Sequence, residues 1–417
     1  MAQERWVGAL ALASVGILAG WSEPALGQGF QDALGPSAES RALAGAMSAS
    51  ARGASASFIN PAGLGRAERP EVYAGFGLLG TNRSSVPEGT AGPIDSELEL
   101  TPLPALSVGV PLTPWLVLGG HAAPASFQGG AFQVDVNGTS VRDARSFRIM
   151  EAGPEVAVLV PEELVPGALS VGVGYRVTAG GLDRIRAPSV GAGDVRLDLA
   201  GVDATGMRLG LQYSPIPEFR LGVTWQTGVS LRLGGDSGQL AAVAVDQPSA
   251  VWTLPTRVTI GGRFDLDRYG LALEYRLADY SGTELTYRGT ASDGGVTQRE
   301  TVPLGAVHSA HLGGEVRLSR EELEFPLRAG VAIESIFGSQ SGAAPFELPP
   351  APLTTLSVGA GVQHRDWGGS LAVSTRLGGG TVFGTGSGSD CDLCGQPGQM
   401  MLYEWALALD FAVRLGR

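Results

Sequence analysis

The sequence predicts an all-β fold, a transmembrane antiparallel β-barrel of about 14 strands with an N-terminal hatch or plug segment. Three observations predict it. Apolar and small or charged residues alternate with a period of two through most of the 417 residues. Short and long connections between the alternating runs succeed one another in strict order. A small-residue segment without alternation separates an N-terminal secretory signal from the first run.

Residues 1–27 form the signal. Arg5 is a weak n-region, an apolar stretch runs over 6–21, and Pro24 precedes a small-residue Ala25-Leu26-Gly27 site, so cleavage is expected after Gly27. The stretch is shorter than the roughly 20 apolar residues that span hydrocarbon. With an export signal and no later apolar run of that length, any membrane crossing must use strands.

Residues 28–69 form the predicted hatch, rich in Ala, Ser and Gly. Ser37 suits the N-cap of a helix over 38–51, whose small side chains allow close packing inside a pore. The run Phe58-Ile59-Asn60-Pro61-Ala62-Gly63-Leu64 then ends helical structure, because Asn-Pro favours a turn, and it re-aims the chain into the wall.

Residues 70–417 form the predicted barrel. Successive strand side chains face opposite sides, so a wall between lipid and lumen imposes a period of two. In the last segment Tyr403, Trp405, Leu407, Leu409, Phe411, Val413 and Leu415 oppose Glu404, Ala406, Ala408, Asp410, Ala412, Arg414 and Gly416. Leu221, Val223, Trp225, Val229, Leu231 and Leu233 oppose Gly222, Thr224, Gly228 and Arg232 in the same way. On this phase Arg220, Arg232, Glu274, Arg276, Arg328 and Glu334 line the lumen. Strands are expected near 70–80, 98–110, 115–124, 145–160, 168–179, 195–213, 219–233, 252–265, 269–279, 305–318, 325–337, 353–364, 369–378 and 402–416. The short connections would be periplasmic turns, and the long ones, 81–97, 125–144, 180–194, 234–251, 280–304, 338–352 and 379–401, external loops. Trp115, Tyr213, Phe219, Tyr269, Phe325 and Trp367 are expected at the periplasmic rim, and Trp252, Tyr280, Tyr403 and Trp405 at the outer one. A soluble all-β protein would alternate too, but it has no reason for two alternating loop classes.

The net charge of −12, with basic residues spread along the chain, excludes a nucleic-acid partner. No nucleophile elbow, phosphate-binding loop or metalloprotease helix motif occurs, so no enzyme activity and no cofactor are expected. His308 and His311 have a spacing that puts them on opposite faces of a strand, and His121 and His364 stand alone, so no metal site is expected. Cys391 and Cys394, as Cys-Asp-Leu-Cys in the last long loop, favour a disulfide in an exported protein, with metal capture or free thiols as the alternatives.

Taken together, the Gly29-Phe30 start, the Phe58 to Leu64 motif, the stretch 207–235 with its Ser-Pro-Ile-Pro turn and Leu254-Pro255 resemble the FadL/TodX-type family of outer-membrane transporters. Tyr280-Ser281 and Leu327-Arg328-Ala329-Gly330 carry the resemblance on, so it covers nearly all of the mature chain. It implies a bacterial outer-membrane location and passive transport of long-chain fatty acids or similar hydrophobic compounds, the expected partners being such a small molecule and the surrounding lipid. It also implies that Phe30 touches the ligand's hydrocarbon tail, that Phe58 belongs to the binding residues, and that Asn60 and Pro61 set the geometry of the hatch. The chain departs from the family at Arg52-Gly53, where acidic residues are common, and at its end, Leu415-Gly416-Arg417, where an aromatic is common and Phe411 stands further in. Two other functions suit such a barrel: a scaffold or shuttle for a secretion or assembly machinery, and a general pore.

Overall fold

A computed structural model describes residues 35–87, 93–136, 139–187, 194–280, 285–300, 305–335, 352–382 and 398–416. The signal, Phe30 and the Cys391–Cys394 pair lie outside the described residues.

Fourteen wall strands form one closed antiparallel sheet. They are β1 (Glu71–Pro87), β2 (Glu99–Thr113), β3 (Leu116–Val136), β4 (Thr139–Val160), β5 (Ala168–Ala187) and β6 (Val195–Ile216). Next come β7 (Phe219–Gln226, resumed as Val229–Gly234) and β8 (Val243–Leu254, resumed as Thr256–Leu266). The circuit continues with β9 (Tyr269–Asp279), β10 (Ala306–Arg320), β11 (Leu323–Glu334), β12 (Leu353–Gln363), β13 (Trp367–Val382) and β14 (Gly398–Arg414). Closure is made by β14 on β1, from Glu71 opposite Arg414 to Pro87 opposite Gly398. Among the described residues each wall strand is paired on both sides, as a membrane demands.

The period of two sorts the side chains as expected near the periplasmic end. On β14 Leu409 and Phe411 are each 49% exposed, whereas Ala406 and Ala408 are 0% exposed. Trp115, Tyr269 and Phe325 stand exposed at the periplasmic turns, and the Trp367 ring stacks on Phe411 at 6.2 Å. His308 and His311 do face opposite ways, the first outward against Tyr275 and the second into the hatch.

Two expectations change toward the outer end. Strands run far into the stretches read as loops: β3 and β4 pair without a break in the hairpin from Ser126 opposite Ile149 to Val136 opposite Thr139. The phase also inverts. Strand β7 breaks at Thr227-Gly228, β8 breaks beside it at Pro255, and the β5–β6 pairing shifts between Arg176 and Thr178 at the same level. Proline has no N–H to give the ladder, and the Gly228 N–H is met by the Thr256 hydroxyl at 3.1 Å instead. Below the break Thr224, Arg208 and Arg263 point inward; beyond it Leu231, Leu199 and Trp252 do. Val229, Leu231 and Leu233 are therefore buried and Arg232 is exposed, the reverse of the expected arrangement.

These inverted residues meet Phe147, Ile149, Leu182, Leu197 and Leu285 in one apolar core that fills the outer mouth. A hairpin of Leu285–Ala291 and Gly294–Glu300 joins it, pairing with β8. Trp252 and Tyr280 belong to this core and not to an outer aromatic rim; the Trp252 ring packs on Phe147 at 4.6 Å.

Candidate functional site: the hatch and the cavity above it

The hatch fills the periplasmic half of the lumen. Ser37 caps its helix, α1 (Ala38–Ala42), by accepting from the Ser40 N–H at 3.1 Å. The helix ends well short of residue 51, because Ala44 and Gly45 adopt positive φ (50° and 91°) and turn the chain along the wall. Two 3-10 helices follow, Ala54–Phe58 and Pro61–Arg66. Asn60 caps the second, its side-chain oxygen accepting from the Ala62 N–H at 3.1 Å, with Pro61 at the first position where no N–H is needed.

The glycine content has its reason here. Several inward positions of the wall are glycine where the hatch backbone passes closest: a Cβ at Gly222 would overlap the Ser48 carbonyl, at Gly172 the Pro61 carbonyl, at Gly330 the Leu43–Ala44 peptide. At Gly53 φ is +63°, and a Cβ would overlap the Glu71 carboxylate, which accepts from the Ala54 N–H at 2.9 Å.

Hydrogen bonds then tie the hatch to the wall around the circuit. Asn60 Nδ2 donates to the carbonyls of Ser48 (2.8 Å) and, on β6, Leu211 (3.1 Å). Gln212 donates to Ser48 and Ala51, Ser170 to Ala62, and the Ala38 N–H to Asp410. Arg328 reaches Glu39 at 3.1 Å and His311 the Ala44 carbonyl at 2.6 Å. At the periplasmic exit Arg69 pairs with Asp366 in a turn at 2.7 Å, and that hydrogen bond holds the Asp366 carboxyl below its usual range. Within the hatch Arg41 is fully buried, which pulls its guanidinium down to about 10 and leaves it charged at neutral pH.

Above the hatch lies a partly enclosed cavity of about 80 Å³. Phe58 and Ile59 of the hatch line it, with Ala123, Pro124 and Ala125 of β3 at a bulge between Pro124 and Ser126. Farther out along β1, β2 and β3, Leu79, Leu103 and Phe127 make an apolar stripe that includes Ala44 of the hatch. The other side of the cavity is charged. Glu151 accepts from His121 (3.0 Å), Arg176 (2.6 Å) and Arg208 (2.5 Å), all buried. Arg208 also donates to the Ser57 carbonyl at 2.6 Å, and the Phe58 ring meets His121 edge-on at 5.8 Å. Glu274 accepts from the N–H groups of Met47 (3.0 Å) and Ser48 (2.7 Å) and from Arg276 (2.6 Å).

Of the four expected binding residues, Phe58 lines the cavity, whereas Asn60 and Pro61 are buried in the floor beneath it. Glu274, Arg276 and Arg328 face inward as read, and all three contact the hatch directly. His121, Glu151 and Arg208 were not singled out as a cluster. Their strand phase put each on the inner face, but nothing in the sequence tells that three strands bring them together.

No family model and no curated protein matches the sequence. Solved structures do match the fold. A Pseudomonas aeruginosa FadL homologue superposes with a TM-score of 0.73 at 14% identity, over 94% of this chain and 100% of that one. The P. putida toluene transporter TodX gives 0.72 at 15% identity, over 93% and 100%. The Ralstonia pickettii toluene transporter TbuX gives 0.66 at 14% identity, over 92% and 100%. A closed single-chain barrel with an apolar outer face and longer external connections is built for the bacterial outer membrane. The chain has the fold of the FadL/TodX-type outer-membrane barrels.

Proposed function

We propose that this protein is a passive outer-membrane channel for hydrophobic or amphiphilic compounds, long-chain fatty acids or molecules like them. The observation that carries the reading is the cavity floored by a seated hatch, with Phe58, Ile59 and the β3 bulge on its apolar side. Its charged side, with Arg208 and Arg276, favours a molecule that has a polar head as well as a tail. The apolar core in the outer mouth speaks against a general polar pore, since ions would have to cross it unsolvated. Phe58 is proposed to touch the tail, and Phe30 to do the same from the start of the mature chain. Asn60 and Pro61 act on transport by holding the hatch.

The test is binding of laurate and of toluene to the purified protein, with uptake in cells lacking it. Micromolar binding and lost uptake are the expected results; absence of both removes the reading. Stoichiometric protein partners in a detergent extract would favour a scaffold instead, and steady conductance in planar bilayers a pore.

A further inference from the structure

The lipid-facing wall carries a notch that has no part in the lumen. Outward positions of β9, β10 and β11 fall into rows across the strands. Tyr269, Val316 and Leu327 make one row, and Leu273, Leu312 and Val331 another. Between them runs the row Leu271, Gly314 and Ala329, in which two of the three positions are small. A Cβ at Gly314 would meet nothing within 4 Å. With Phe264 and Leu266 of β8, the notch becomes an open groove of about 520 Å³. Glu315 and Arg328 border it from behind, but they turn inward and pair with each other at 2.7 Å, so the face shown to the bilayer is apolar.

Tyr269 stands in the periplasmic aromatic rim, which sets the groove at the depth of the periplasmic leaflet. An empty notch forfeits the dispersion contacts of its lining, and the molecule at hand to restore them is an acyl chain. The group that selects among lipids is Arg268. Its guanidinium lies 5.8 Å from the centroid of the Tyr269 ring, at the periplasmic end of the groove. It is exposed and, among the described residues, pairs with no carboxylate. Asp265 of the same turn is taken by Arg220, Arg263 and Arg317 in the lumen, and Asp267 makes no ion pair with Arg268. The next turn carries Arg320 and Glu321, both exposed, and Glu322, which lies 3.4 Å from His364. The charge left over beside the groove is therefore that of Arg268. From Arg268 to Leu271 the strand rises roughly 10 Å, at about 3.4 Å per residue, which suits a phosphate at one end and the upper methylenes of its chain at the other.

We propose that this groove binds an anionic phospholipid of the periplasmic leaflet, with an acyl chain laid over Gly314 and Ala329 and the phosphate on Arg268. A zwitterionic lipid fits the notch equally well but brings an ammonium group to the guanidinium, and so loses most of the attraction. The site faces lipid, so it stands or falls apart from the transport reading.

The experiment uses the full-length mature protein in phosphatidylcholine nanodiscs doped with dioleoylphosphatidylglycerol or dioleoylphosphatidylethanolamine. Native mass spectrometry after release then counts the lipids retained. The parent should keep one phosphatidylglycerol about fivefold more often than phosphatidylethanolamine, the factor that about 1 kcal/mol for one arginine at a membrane surface represents. Arg268→Gln should bring the two lipids level. Gly314→Leu, whose side chain enters open space, should lose both adducts, and Ala329→Leu fills the same notch from β11 and carries the test if the first does not fold. Equal retention of the two lipids by the parent, a preference that survives Arg268→Gln, or an adduct that survives both leucine variants each overturns the site. A dimer of the parent that Gly314→Leu converts to monomer overturns it as well, since the notch would then seat a second copy of the chain.

Discussion

The side-chain amide of Asn60 donates to the main-chain carbonyl of Leu211, 3.1 Å away on β6, and to that of Ser48, 2.8 Å away within the hatch. One buried residue thus joins two turns of the plug to the wall and caps a 3-10 helix as well. Asn60→Ala removes three hydrogen bonds at about 0.5–1.5 kcal/mol each, while the Ser48 carbonyl keeps the Gln212 donor. The expected outcome is a folded barrel with a loosened hatch. Trypsin cleavage at Arg52 and Arg66 should quicken while the heat-resistant barrel band persists; unchanged cleavage would count against the role given to Asn60.

Gly222 makes the complementary case. A side chain there meets the Ser48 carbonyl and the Ala49 nitrogen, both main-chain atoms that cannot rotate away. Gly222→Leu should overpack the plug by about 1–3 kcal/mol and lift it, without touching the lipid-facing surface. Limited proteolysis is the measurement: trypsin cleavage at Arg52 and Arg66 should quicken in the variant, and an unchanged rate would count against the overlap.

The wall was legible in the sequence because two different media impose its pattern. Leu409 and Phe411 are greasy since lipid meets them, and Ala406 and Ala408 are small since the hatch does. The hatch contacts were not legible, because Glu274 with Met47 or Asn60 with Leu211 join residues far apart in the chain, and no local rule fixes such partners. The outer mouth was misread for a definite reason. An apolar residue in a strand marks the apolar side, and inside the bilayer that side is outward. Beyond the break at Gly228 and Pro255 the apolar side is an inner core, so Leu231 carries the same sequence signal with the opposite meaning. The signal that was present is the pair of strand breakers themselves, which stand beside each other once β7 and β8 are paired.

That inversion separates two neighbours. Leu231 is 0% exposed in the outer core, and Arg232 faces away from it. Leu231→Ala should cost about 2–5 kcal/mol as a buried large-to-small change. Arg232→Ala should stay within about 0.5 kcal/mol, as surface changes do. Urea unfolding of both variants in detergent decides; equal effects would mean that the phase does not invert.

Glu151 is the hub of the charged side, accepting from His121, Arg176 and Arg208 together. Removing one member of a buried ion group strands the others, a cost of about 3–5 kcal/mol. Glu151→Ala should therefore lower the unfolding midpoint more than Arg176→Ala, since two arginines and not one carboxylate lose their shared partner. The same midpoint measurement checks the order.

Phe58 differs from all of these because its ring serves the cavity more than the fold. It meets Tyr73 at 5.5 Å and His121 at 5.8 Å by its edges, while Phe58 itself lines the free space. Phe58→Ala would widen the cavity and remove the aromatic surface beside the β3 bulge, a loss of about 1.4 kcal/mol or more of apolar contact for a bound tail, which is roughly tenfold in affinity. Phe58→Leu restores most of that surface and should recover most of the binding. Laurate titrations of the three proteins test this, and the leucine variant matters most. If it binds as poorly as alanine, the ring acts through His121 and Tyr73, and the tail lies elsewhere in the lumen.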